Sequence, residues 1–183
     1  LIIKPSKKTE YEEIEISGVK AAWVRRKIDR VPGRAMIHFH GGAYVSGSLK
    51  YARILASMIC EKTGIDVLTF DYRLAPEHPF PMALYDAIKV YKWLLKQGID
   101  AQNIGFVGES AGGNLCLATT LWLRDRGEEM PGAVWCMSPW ADLTGTGATY
   151  YVNRAIDPMV SPESLLVSAK WYIGTRDAHA PYI

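Results

Sequence analysis

The chain is short of cysteine and histidine and has no real excess of either charge. Three cysteines, Cys60, Cys116 and Cys136, stand among 183 residues. They are widely spaced, form no Cys-x-x-Cys pair and fall inside apolar helix or strand patterns. This excludes a disulfide framework and points to reduced structural thiols in a cytoplasmic protein. None lies on a sharp turn, so a nucleophilic thiol is disfavoured. No apolar run approaches the ~18 residues of a bilayer span. The longest, Leu115 to Leu123, is broken by two threonines, and no signal peptide is visible. The formal net charge is only +2. Lys7-Lys8 and Arg25-Arg26-Lys27 read as solvated faces, which argues against nucleic-acid and membrane partners. His38-x-His40 is the one close histidine pair. It lacks the further ligands a zinc site needs, so no metal is expected.

What is present suits a compact domain. Hydrophobic residues make up 49% of the chain and charged residues 22%, enough to bury one core. Glu12 to Ile16 and Val19 to Arg25 alternate apolar and polar around Ser17-Gly18, the pattern of a hairpin with a tight turn. Ala35–Phe39, Val67–Phe70, Ile104–Val107 and Ala133–Met137 are short apolar runs, as expected of buried parallel strands. Helical patterns occupy Tyr51–Lys62, Met82–Gln97 and Asn114–Arg126. Such alternation predicts an α/β fold, a mostly parallel twisted sheet with helices on both faces. The stretch from Thr144 to Gly174 departs from it, with a polar loop and then a helical run over Pro162–Tyr172.

The chemistry sits at the ends of two predicted strands. Gly108-Glu109-Ser110-Ala111-Gly112-Gly113-Asn114 joins the Ile104–Val107 run to a helix and spells Gly-x-Ser-x-Gly. That pattern places a serine on a strained strand-to-helix turn with its hydroxyl exposed. Ala35–Phe39 leads into His40-Gly41-Gly42-Ala43-Tyr44, where glycines let backbone N–H groups converge. Gly41, Gly42, Ala43 and Ala111 are therefore candidates to hold an oxyanion. Ala43 at the third position requires a negative φ to be unstrained. His40 is expected to hold this loop by hydrogen bonds. Glu109 is expected to point away from the serine and anchor nearby loops. Trp140, Tyr44 and Tyr150-Tyr151 are pocket candidates, although core or rim positions are the commoner fate of such aromatics.

A third stretch, Asp71-Tyr72-Arg73-Leu74-Ala75-Pro76-Glu77-His78-Pro79-Phe80-Pro81, lies between these two. Together the three resemble the hormone-sensitive-lipase-like family of α/β-hydrolases, over most of the chain from about Glu12 onward. The resemblance implies a serine carboxylesterase acting on short- to medium-chain acyl esters through an acyl-enzyme, with no metal or organic cofactor. It implies Ser110 as nucleophile and a small-molecule ester as partner; homo-oligomerisation stays open. The same scaffold also carries amidases, lactonases and non-catalytic hormone receptors, and the intact elbow and glycine loop favour the enzyme. In the family the acid and the histidine follow the serine in loops near the end of the fold. Here only His179 follows Ser110, in a segment resembling a non-catalytic loop, and Asp142 resembles a structural aspartate. The chain is therefore expected to be a single domain, incomplete at its C-terminus and trimmed before Leu1.

Overall fold

The computed structural model describes residues 4–183; Leu1, on which the expectation of a trimmed start rests, lies outside them. Six strands form one sheet: β1 (Thr9–Ile16), β2 (Val19–Arg26), β3 (Ala35–Phe39), β4 (Asp66–Phe70), β5 (Ile104–Glu109) and β6 (Ala133–Met137). Their order is β1-β2-β4-β3-β5-β6. The β1–β2 and β2–β4 pairs are antiparallel, and the others are parallel. Ser17 and Gly18 both have positive φ, 51° and 82°, as a two-residue turn matching strand twist requires.

Five helices connect and follow the strands: α1 (Leu49–Thr63), α2 (Met82–Lys96), α3 (Ala111–Asp125), α4 (Ala148–Val152) and α5 (Pro162–Ile173). The parallel strands β3, β4 and β5 are apolar on both faces because both are covered. By contrast β6, expected from its apolar run to be buried, is exposed over Ala133–Trp135 because it has a neighbour on one side only among the described residues. On one face Val24, Val67 and Val107 meet Ala56, Ile59 and Cys60 of α1. On the other, Ile37, Phe39, Phe70 and Phe106 pack with α2 and α3. Residue alternation along each strand thus feeds two cores. The expected elements are all present with ends shifted by a few residues. The polar run after Thr144 hides the short helix α4, too brief for a periodic signal. Local capping sets the ends of α1. The Ser48 hydroxyl accepts from the Tyr51 N–H, and Gly64 closes the helix at φ 74°.

From β3 the chain crosses by α1 to β4, then by α2 back past β3 to β5. The C-terminal ends of β3 and β5 therefore flank the point where strand order reverses, the usual crevice for ligands in an open α/β sheet. At the other end of the sheet, β6 is the edge strand among the described residues. Its Trp135 is 54% exposed.

Candidate active site

Ser110 stands between β5 and α3 with φ 54° and ψ −122°, a conformation an L-residue adopts only when its surroundings force it. The forcing contacts are identifiable. The Ser110 N–H donates to Met137 O on β6, and its carbonyl accepts from Gly113, Asn114 and Trp140 N–H groups. Gly112 then permits the helix to begin here, because a Cβ on it would stand 1.9 Å from Phe39 O. The first turn of α3 can therefore sit directly on the end of β3. Its N-terminal dipole and unpaired N–H groups point at the serine.

The β3 loop reaches the same place. A Cβ on Gly41 would lie 3.3 Å from Ser110 Cβ, so the two segments are in direct contact. Gly41 is nevertheless not free to serve an oxyanion, contrary to the expectation from sequence. Its N–H donates to Glu109 Oε1 at 2.7 Å. The N–H groups of Gly42, Ala43 and Ala111 have no intramolecular acceptor among the described residues. A second correction concerns Ala43, whose φ is +53°, with Tyr44 following at +64°. Both residues are left-handed, at a cost of about 1 kcal/mol or more each. Tyr44 is held there by its buried ring, stacked 3.6 Å from that of Tyr172, and by its hydroxyl, which donates to Asn114 Oδ1.

The surrounding polar residues are cross-linked. His40 is buried, and its Nδ1–H donates to Gly41 O at 2.7 Å. Burial pulls its pKa down to about 4, against the opposing effect of that bond. Its ring stacks on Tyr72 at 4.2 Å, and the Tyr72 hydroxyl donates to His40 O at 2.7 Å. Tyr72 begins the stretch whose Arg73 clamps the buried Asp86 of α2 with two guanidinium bonds of 2.8 Å. The sequence marks Tyr72 and Arg73 only as part of a motif. Their partners, Asp86 and His40 O, are invisible without the fold.

His38 lies between Thr69 and Glu109. Its Nδ1 is 3.2 Å from Thr69 Oγ1, and its Nε2 is 2.9 Å from Glu109 Oε2. The connectivity is that of a hydroxyl–imidazole–carboxylate triad, but Thr69 and His38 are fully buried and no carbonyl substrate can approach that hydroxyl. The arrangement ties strands together. Burial pushes the Glu109 carboxyl up, yet the bonds from His38 and from the Gly41 N–H outweigh it, leaving the group below its ordinary value. His38 and His40 are thus committed to other partners, and no group of three or more potential metal ligands exists among the described residues.

A cleft of about 390 Å³ opens at Ser110, lined by Gly42, Ala43, Val45, Ser46 and Tyr51 on one side. Met159, Val160, Ser164 and Leu165 form the other. None of the aromatics weighed as pocket candidates lines this cleft; they take the core and rim positions that are the commoner fate of such residues. Tyr44 and Trp140 are core, Tyr150 accepts from Trp140 Nε1–H and donates to Asp142 O, and Tyr151 is on the surface. Asp142 caps its own loop, where the Thr144 hydroxyl, foremost among four donors, draws its pKa down to about 2. His179 is exposed, and its backbone N–H donates to Asp177. The nearby Tyr182 is tethered to Asp125 at the far end of α3 from Ser110.

A family model described as alpha/beta hydrolase fold matches residues 36–183. A crystal structure of an esterase from the bacterial hormone-sensitive lipase family superposes with a TM-score of 0.94 at 37% identity. The chain belongs to the hormone-sensitive-lipase-like family of α/β-hydrolases. That superposition covers 98% of this chain and 60% of the solved one. An acetyl-hydrolase of Streptomyces hygroscopicus is 36% identical over 168 residues, 92% of this chain and 56% of that protein. An esterase of Acinetobacter venetianus is 37% identical over 160 residues, 87% of this chain and 52% of that protein. The chain thus spans just over half the length of these two relatives. No described helix is long and apolar enough to cross a membrane.

Proposed function

We propose that this chain is the nucleophile-bearing part of a serine carboxylesterase. Ser110 attacks the ester carbonyl, and the N–H groups of Gly42, Ala43 and Ala111 receive the oxyanion. The alcohol departs, and water then releases the acid from the acyl-serine. The observation that carries this reading is the strained Ser110 at the head of α3, lining a cleft together with Gly42 and Ala43, whose N–H groups are unpaired among the described residues. The proton acceptor is a histidine outside residues 1–183. His38 and His40 are buried against other partners, and His78 and His179 are exposed on other loops. The whole reads as a single catalytic domain, and its unpaired thiols favour the reducing cytoplasm.

The names of the relatives, acetyl-hydrolase and esterase, favour short- to medium-chain acyl esters. An apolar pocket discriminates by about 1–3 kcal/mol per methylene, so the preference is graded, highest from acetyl to hexanoyl. The test is a kcat/KM series over p-nitrophenyl esters of two to sixteen carbons with the complete polypeptide, for wild type and Ser110→Ala. The substitution lowers kcat by roughly 10⁶-fold. Activity above a few per cent in Ser110→Ala overturns the nucleophile, and a maximum at twelve carbons or longer overturns the substrate class.

A further inference from the structure

We infer that Glu109 is a positioning residue that selects which amides of the β3 loop face the reacting carbonyl, an inference resting on Ser110 as nucleophile. The two oxygens of its carboxylate have different duties. Oε1 takes the Gly41 N–H at 2.7 Å and Oε2 takes His38 Nε2–H at 2.9 Å. A carboxylate bound once can rotate about its last torsion, whereas one bound through both oxygens to two rigid elements cannot. His38 is itself fixed, because its Nδ1 meets Thr69 Oγ1 on the adjacent strand at 3.2 Å and it has no exposed surface. The line Thr69–His38–Glu109–Gly41 thus runs from β4 through β3 to the end of β5 and into the loop.

This line sets the loop register. Capture of the Gly41 N–H turns that peptide plane toward β5. The next two peptides, with Gly42 at φ 123° and Ala43 at φ 53°, are then left with their N–H groups unpaired. Glu109 is covalently next to Ser110, so elbow and loop are positioned by one side chain and move together. Without the carboxylate, the Gly41 N–H is unsatisfied and the loop is released to rotate another amide toward the cleft. A displacement of about 1 Å at a catalytic group costs ~10²-fold in rate, and loss of one oxyanion donor costs ~10²–10³-fold in kcat.

The test compares Glu109→Gln, Glu109→Asp and Glu109→Leu in the complete polypeptide, with folding checked by circular dichroism. Gln keeps an acceptor for Gly41, Asp withdraws the carboxylate by one methylene, and Leu removes it. The expected order of kcat is wild type, Gln, Asp, Leu, with the Leu variant down about 100-fold and KM within about threefold. Affinity for a trifluoromethyl ketone, a tetrahedral mimic, falls in parallel with kcat/KM. Affinity for a non-reactive ketone of the same shape does not. Amide exchange at Gly41 is slow in wild type and Gln and faster in Asp. If Leu fails to fold, the Gln–Asp difference carries the test. Equal kcat in the folded variants, or loss appearing only in KM, overturns the inference. Mass spectrometry after treatment with a fluorophosphonate, which loses fluoride to leave a stable phosphonyl-serine, separates the two claims: no adduct on Ser110 in wild type sinks the nucleophile itself. An adduct with unchanged variants sinks only the role of Glu109.

Discussion

The ends of β3 and β5 and the stretch from α4 to α5 both border the cleft at Ser110, and they are built differently. At the strand ends His38, His40, Tyr44 and Tyr72 are buried, and each is held by at least one hydrogen bond to a named partner. On the other wall Met159 is 88% exposed. Hydrogen bonds thus fix the first wall, whereas the second leaves Met159 without apolar cover. The chemistry therefore rests on an over-determined scaffold that tolerates strained φ values at Ala43, Tyr44 and Ser110. The groups that would choose a substrate sit on a surface these contacts do not fix.

The most disruptive way to break that contrast is Gly112→Ala. The added Cβ meets Phe39 O at 1.9 Å, so α3 must lift from β3. Stability is expected to fall by about 3 kcal/mol, and the displaced elbow to cost ~10²-fold in kcat. Urea denaturation and ester turnover check both; a stability within about 0.5 kcal/mol of wild type would mean the strand ends are not tightly packed.

Acid should loosen the same wall. His40 has a native pKa near 4 against an ordinary 6.5, so the unfolded chain binds more protons between those values. Stability present above pH 6.5 is therefore lost as pH falls toward 4, by an upper limit of roughly 3 kcal/mol. Glu109, whose native pKa is depressed, acts in the same direction below its unfolded pKa. Charged or titratable neighbours include His38, Tyr51 and Tyr72. Denaturation midpoints at pH 7, 5.5 and 4 measure the slope; the same stability at all three would contradict the burial of a neutral His40.

The smallest change expected is at Ala43. Glycine at this left-handed position relieves about 1 kcal/mol of strain but raises the entropy of the unfolded chain at a cost of about half that. Ala43→Gly should therefore stabilise by about 0.5 kcal/mol, read as a shift in denaturation midpoint. A clear loss would mean that φ +53° is not the native conformation.

Much of this is legible in the amino-acid sequence. The apolar runs marked the strands because parallel strands are buried on both faces, and Gly-x-Ser-x-Gly after such a run identified the elbow. Alternation and turn chemistry gave the β1–β2 hairpin, which needs only local geometry. The fate of Gly41 was not legible, because its N–H is taken by a side chain 68 positions away, which no local pattern encodes. The sign of φ at Ala43 was hidden for a similar reason. Long-range packing of Tyr44 against Tyr172 and Asn114 enforces a conformation that Ala alone would avoid. The aromatic residues Tyr44 and Trp140 went to the core, since large rings gain more from burial than from lining an open cleft.

The proposed mechanism acylates Ser110 alone. Its most direct test is treatment of the complete polypeptide with a stoichiometric fluorophosphonate, followed by peptide mapping and residual esterase activity. One adduct is expected, on Ser110, with activity lost in proportion to modification and no labelling in Ser110→Ala. An adduct on another residue, or full activity with Ser110 modified, would contradict it.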